Sequence, residues 1–343
     1  MTTAVQHYDP GATNVCQLRP LFILSVWRSG SSLLYALLNQ HSQIALLYEG
    51  ELPQLQHLLR GHFRTGRWRE KWEFWNQGPS RHNISINSMP SRVADAWDAT
   101  RIVYQEFARR KQAVIWGEKS PHWYDSALRI ATKFPDAQFI FLWRDPNSVM
   151  ESVARAAEGD HFFRKPGFLH RVLVGTERLR HAYEVLRSRG RSVYEINYED
   201  LTSNPTKCMK RICKFLDVRF EPKIATLETA DCSACFSGLH HAMVRGNRIV
   251  GNKEQARRLS TATQAKIARY ISRWSRLSGG EWPKYPVPSK SVQPPGVLEL
   301  LCDSVVYRAL LWRDDMVKLT YGILPVASAR SVRSWVRQPG LGI

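Results

Sequence analysis

The sequence predicts an α/β protein, a central parallel sheet flanked by helices, with a phosphate-binding strand-loop-helix at the end of its first strand. Three observations carry this. Short apolar runs alternate with amphipathic helical patterns across short connections, the pattern of parallel strands covered on both faces. The first run, Leu21–Val26, breaks at a small polar loop before leucines resume at helical spacing. Arg28, Glu49, Lys119 and Arg144 each follow a predicted strand, and in such sheets ligands bind outside the carboxyl ends of the strands.

Residues 1–19 read as a flexible lead-in. After the loop Trp27-Arg28-Ser29-Gly30-Ser31-Ser32, a helix carries Leu33, Leu34, Leu37 and Leu38 on one face, with Ser31 or Ser32 placed to cap it. His41–Leu47 supplies a second strand, ending at Tyr48-Glu49-Gly50-Glu51. The stretch 52–110 is helical with loops around Asn76–Pro90; its Trp68, Trp72, Trp75 and Trp97 form either an acceptor-binding wall or core anchors. Ala113–Trp116 is a strand that stops at Gly117-Glu118-Lys119-Ser120-Pro121, and a helix follows over His122–Lys133. Gln138–Trp143 is the clearest strand, with helices after it at Asn147–Ala157 and 168–189. A strand at Ser192–Ile196, a helix at Pro205–Leu216, an irregular flap over 232–255 and a helix at Thr263–Leu277 complete the unit. Prolines from Pro283 to Pro295 mark a boundary, which gives a main domain over 20–285 and an extension over 286–343.

The 343 residues suffice for one large domain, and 43% hydrophobic content marks a globular chain. Forty-nine Lys and Arg against 30 Asp and Glu give +19, so the chain should attract anions. No N-terminal run resembles a signal peptide and no stretch is apolar enough to span a bilayer, so a cytoplasmic protein is expected. Six cysteines should then be reduced and mostly buried. Cys232-Ser-Ala-Cys235 has zinc or redox spacing, but Cys208 and Cys213 make a poor second pair, so no metal site is expected.

A strand, tight loop and helix start direct backbone N–H groups and the positive end of the helix dipole at one spot. The serine hydroxyls add donors and Arg28 a full charge. An ordinary turn would use the same small residues. Neither Gly-x4-Gly-Lys-Ser/Thr nor Gly-x-Gly-x-x-Gly is present; Gly246-x4-Gly251 has Asn252 where a lysine belongs.

Several segments in order resemble the sulfotransferases that use 3′-phosphoadenosine-5′-phosphosulfate (PAPS), most nearly the branch shared by bacterial members and the tyrosylprotein sulfotransferases. Arg28-Ser29-Gly30-Ser31-Ser32-Leu33 is similar to the 5′-phosphosulfate loop. Arg144 through Ser152 resembles the 3′-phosphate motif. Gly117-Glu118-Lys119-Ser120-Pro121, Tyr198-Glu199-Asp200-Leu201 with Asn204-Pro205, and His240-His241 before Gly246-Asn247-Arg248 are family-like too. The resemblance implies a P-loop NTPase-like sulfotransferase fold with PAPS as co-substrate, 3′-phosphoadenosine-5′-phosphate (PAP) as product, and no metal. It implies Arg28 and Lys119 on the developing charge, Arg144 and Ser152 on the 3′-phosphate, Tyr198 on adenine, and Asn247 and Arg248 closing over the phosphates. Cytosolic members carry lysine where Arg28 stands and tryptophan where Leu33 stands, so their catalytic histidine is not carried over. In the tyrosylprotein branch a glutamate placed like Glu49 acts as base; Glu51 is the second choice. The alternative for Lys119 is a salt bridge with its neighbour Glu118.

The acceptor should bear a hydroxyl, with carbohydrate, lipid, tyrosine and small molecules all open. Two rivals stand beside this reading: a kinase with a degenerate phosphate loop, and a non-enzymatic protein binding nucleic acid or anionic glycan. The scattered arginines and lack of a nucleic-acid motif count against nucleic acid. In the tail, Val297–Leu311 is apolar at helical spacing, and Arg330, Arg333 and Arg337 flank Trp335. Weak membrane-surface contact is one reading of it, packing on the domain or disorder the other.

Overall fold

The chain's computed structural model describes residues 18–76, 81–121, 126–165, 167–235 and 249–251, with 124, 244, 246 and isolated positions from 261 to 328. The apolar runs form five strands: β1 Arg19–Leu24, β2 Ile44–Tyr48, β3 Ile115–Ser120, β4 Gln138–Trp143 and β5 Val193–Asn197. All pair in parallel, in the order β2-β3-β1-β4-β5, with β1 at the centre. The helices are α1 Ser31–Leu38, α2 Gln56–Thr65, α3 Trp68–Asn76, α4 Ala96–Arg110, α5 Ala127–Lys133, α6 Pro146–Gly159, α7 His161–Arg164, α8 Phe168–Ser188, α9 Tyr198–Ser203 and α10 Pro205–Leu216.

Alternation along the strands divides the core in two. Leu21, Ile23, Ile44, Leu46, Ile140 and Leu142 pack with α1 and α10 on one face. Phe22, Leu24, Ala45, Leu47, Phe139 and Phe141 pack with α4, α5 and α8 on the other. Strands buried on both faces read as continuous apolar runs, which is why β4 falls where the pattern put it; α10 does so because Asn204 caps it and Pro205 opens it.

Three expectations change. First, β3 does not stop at Trp116 but continues through Ser120. It lies between β1 and β2, so ladder bonds on both sides hold its polar end in the sheet. Gly117 stands opposite Leu21, and a Cβ there would lie 1.7 Å from the Leu21 carbonyl oxygen. Second, neither serine caps α1. Gly30 takes that place at φ 94, in the left-handed region that glycine enters without steric cost. Third, Trp68, Trp72 and Trp97 are core anchors, not an acceptor wall; their size is best used inside. The Trp75 side chain, the lead-in through 17, most of the flap, about half of the helix predicted at Thr263–Leu277, and most of 286–343 lie outside the described residues. Among the described residues, no helix is long and apolar enough to cross a membrane.

Candidate active site at the carboxyl edge of the sheet

β1, β2, β3 and β4 deliver Arg28, Glu49, Lys119 and Arg144 to one edge of the sheet. After β1 the chain turns on itself: the Ser29 hydroxyl donates to the Val26 carbonyl at 2.7 Å, and the Gly30 carbonyl accepts from Leu33 and Leu34 as α1 begins. The opening N–H groups of α1 have no partner inside the helix. Glycine is required at position 30 twice over, by its φ and because a Cβ would lie 2.2 Å from Cδ2 of Tyr198.

Arg28 is itself left-handed, at φ 66, a conformation that a non-glycine residue holds only where its surroundings enforce it. Its Nε donates to Ser152 Oγ at 3.1 Å, and its carbonyl accepts from Arg144 Nη1 at 2.7 Å. Ser152 thus meets Arg28 rather than Arg144, and Arg144 is locked onto the backbone of the same loop. Arg144 lies over the Tyr198 ring at 4.3 Å. The Tyr198 hydroxyl donates to the Val250 carbonyl at 2.6 Å, so its ring supports Gly30 from a fixed position.

A third guanidinium belongs here. Arg155, one turn beyond Ser152 on α6, is close enough that its charge acts on both Arg28 and Arg144. Burial and then Arg144 push the Arg28 pKa down to about 10, with Arg155 adding to the effect; burial likewise lowers Arg144. The sequence signal for Arg155 was its i+3 spacing from Ser152, which places both on one helix face. A bound anion relieves such crowding.

Across the loop, Lys119 is buried, its Nζ 2.5 Å from Glu49 Oε1 and 4.1 Å from the centre of the Tyr48 ring. The Tyr48 hydroxyl bonds Ser32 Oγ at 2.8 Å. Glu49, Lys119, Tyr48 and Ser32 therefore form one connected line into the first turn of α1. Glu51 faces elsewhere: its Oε1 accepts from Ser120 Oγ at 3.1 Å. Both glutamates are left-handed, at φ 49 and 51.

That turn is clamped from several sides. Trp72 Nε1 donates to the Gly50 carbonyl at 2.7 Å, and Arg81 Nη2 to the Glu49 carbonyl at 3.4 Å. The Tyr48 N–H donates to His82 Nε2 at 2.8 Å. Burial pushes the His82 pKa down to about 3, so the ring stays neutral and can accept. Glu118 accepts from the Glu51 N–H at 2.8 Å and from the Tyr104 hydroxyl. Burial raises its carboxyl well above the usual range. Glu118 is thus a buried acid bracing the turn, and Lys119, on the opposite face of β3, pairs with Glu49 instead. Asn247, Arg248, His240 and His241 lie outside the described residues. Among the described residues, no group of three or more His, Cys, Asp or Glu is placed to hold a metal ion.

This arrangement can be set beside known proteins. The model of the Sulfotransferase family matches residues 20–222, more than half of the chain and all five strands. The chain belongs to the sulfotransferase family. Its fold is similar to that of the sulfotransferase domain from the curacin biosynthetic pathway, at a TM-score of 0.50 and 20% identity, covering 79% of this chain and 100% of that one. A second solved relative is the sulfotransferase domain of the Synechococcus PCC 7002 olefin synthase, at a TM-score of 0.44 and 20% identity, covering 89% and 98%. Protein-tyrosine sulfotransferase A of Caenorhabditis elegans is 21% identical over 206 residues, 60% of this chain. The chain spans about half, 51%, of that relative's length.

Proposed function

We propose that this sulfotransferase moves a sulfuryl group from PAPS to an acceptor hydroxyl by in-line transfer, with Glu49 as base. The observation that carries the reading is the convergence of three mutually repelling arginines, Arg28, Arg144 and Arg155, with a helix start and the Lys119–Glu49 pair at one sheet edge. A site so built favours a ligand with separate anionic groups, as an adenosine bisphosphate has.

PAPS, when bound, supplies the activated sulfuryl group. Arg28, the α1 N-terminus and the hydroxyls of Ser31 and Ser32 would hold its 5′-phosphosulfate, with Ser29 fixing the turn through its bond to the Val26 carbonyl and Leu33 beginning the helix wall beneath. Arg144, Arg155 and Ser152 would hold the 3′-phosphate, and Ser152 also fixes Arg28. Sulfuryl transfer, like phosphoryl transfer, asks mainly for positioning and for charge where the leaving oxygen becomes anionic. Arg28 and Lys119 meet that demand. Glu49 takes the proton from the acceptor hydroxyl; its contact with Lys119 keeps it aimed. Tyr198 acts by supporting the loop; the family resemblance would also set it against adenine, and Asn247 and Arg248 over the phosphates.

Sulfuryl transfer is favoured over the kinase reading because the loop offers arginine and serines where a nucleotide kinase needs Gly-Lys-Ser/Thr. The acceptor class stays wide: tyrosine, as the name of the Caenorhabditis relative suggests, carbohydrate, lipid or a small molecule. The deciding experiment incubates the full chain with radiolabelled PAPS and a panel of these acceptors, and separately with ATP and Mg²⁺. Label transfer from PAPS without metal is expected; phosphoryl transfer, or salt-sensitive nucleic-acid binding with no transfer, would overturn the reading.

A further inference from the structure

The Cys232-Ser-Ala-Cys235 motif is used by neither end of the donor site. In the fold it closes as a turn, the Cys235 N–H donating to the Cys232 carbonyl at 3.0 Å. Neither thiol is in a disulfide, and the two are hydrogen-bonded to one another. Cys235 is buried in the core beside Tyr35 and Tyr48, while Cys232 is half-buried and reachable from solvent. The charges of Lys119 and Glu49 act on the Cys235 thiol, so the pair lies against the floor of the candidate active site. The Cys232 thiol donates to the Val244 carbonyl at 3.6 Å.

We propose that Cys232 and Cys235 are a redox modification site: they form a reversible disulfide that loosens the support of the loop around Gly30. The oxidant is a small-molecule disulfide of the glutathione class. The Cys232 thiolate attacks one sulfur of the oxidant, releasing one thiol and leaving a mixed disulfide; the Cys235 sulfur then attacks Cys232 and releases the second thiol. Both protons end on the released thiols, and two electrons pass from the pair to the oxidant. The order follows from access. The hydrogen bond to Cys232, and then burial, push the Cys235 thiol well up, so the more exposed Cys232 reacts first.

Closing the S–S bond to about 2.05 Å draws the Cys232 sulfur off the Val244 carbonyl. Six residues further on, the Val250 carbonyl accepts from Tyr198, whose ring packs on Gly30. Freeing one anchor of this segment weakens anion binding at the loop by about threefold, the scale of one weak hydrogen bond. This consequence rests on the proposed donor site; the disulfide itself does not.

The test treats the full chain with glutathione disulfide, then maps thiols by alkylation and mass spectrometry. Both cysteines fall on one tryptic peptide, Ile224–Arg245, so the bond appears as a loss of two hydrogens. Expected are that loss, its reversal by dithiothreitol, its absence in Cys232→Ser, and weaker PAP binding by calorimetry only while the bond is present. The site is overturned if both thiols stay alkylatable while exposed Cys302 takes up the glutathione. It is equally overturned by one equivalent of bound zinc that Cys232→Ser removes. Unchanged PAP affinity in the oxidised chain would refute the coupling. A reduced chain that binds no PAP would instead sink the donor-site reading and leave the mapping to decide the disulfide.

Discussion

At Glu118 a carboxyl sits fully buried between the Tyr104 hydroxyl and the Glu51 N–H. A neutral acid can serve both partners, so Glu118→Gln should fold and keep the turn. Glu118→Ala should cost about 1–3 kcal/mol, because it leaves two buried polar groups without their partner. Burial raises the folded pKa above that of the unfolded chain, about 4.3 for glutamate. The folded state then binds a proton that the unfolded state has lost, so stability falls as pH rises above that unfolded value. Melting temperatures followed from pH 4 upward should decline less in Glu118→Gln than in the parent; parallel curves would show Glu118 ionised in the fold. Sequence alone could pair Glu118 with Lys119, because they are adjacent. Only the strand extending through both residues puts them on opposite faces. Beside them, Glu49→Gln should lower kcat by about 10²- to 10⁴-fold, the span of general base catalysis, with PAP affinity kept. Near-normal turnover would pass the role to another group.

Among the elements, α6 shows how a helix can present two functional residues by its own phase. Ser152 reaches Arg28, and Arg155 one turn on, its Nη1 3.6 Å from Glu151 Oε2, is close enough for its charge to act on Arg28 and Arg144. The helix is fixed at its start by Asp145, whose carboxylate accepts from the Ser148 N–H at 3.0 Å and the Ser148 hydroxyl at 2.7 Å. Asp145→Ala should therefore cost about 1 kcal/mol of stability, and it should also weaken PAP binding because Arg144 immediately precedes the cap. An unchanged PAP affinity, measured alongside the melting temperature, would separate the cap from the site. Element positions were legible where burial on both faces makes strands purely apolar, as in β4, or where asparagine and proline open a helix, as in α10. β3 was not, because its polar end is held by ladder bonds and by partners from distant segments: Tyr104 and Glu51 on Glu118, Glu49 on Lys119. The cap of α1 was missed for a related reason. Serine is the better local choice, but the position demands a positive φ and room for Tyr198.

For the whole molecule, the +19 balance says only that anions are attracted. What turns charge into a site is topology: a parallel sheet ends its strands on one edge, so residues far apart in sequence share it. That convergence was legible before any coordinates; the crowding of Arg155 and the wiring of Glu49 through Lys119 and Tyr48 to Ser32 were not, since they depend on side-chain directions. Crowded cations also set stability against binding. Without a ligand, Arg28, Arg144 and Arg155 repel one another in partly buried positions, so the fold bears a cost that a bound anion removes. PAP at about a hundred times its Kd should add about 2.7 kcal/mol to the parent by mass action, seen as a rise in melting temperature that shrinks as salt is added. Arg155→Ala should invert the balance: a ligand-free melting temperature equal to or above that of the parent, and a much smaller rise with PAP. Adenosine 5′-phosphosulfate, which lacks the 3′-phosphate, should shift parent and variant alike. If Arg155→Ala instead melts lower without ligand and keeps the full PAP shift, the guanidinium is a structural support, and the anion site is Arg28 and Arg144 alone.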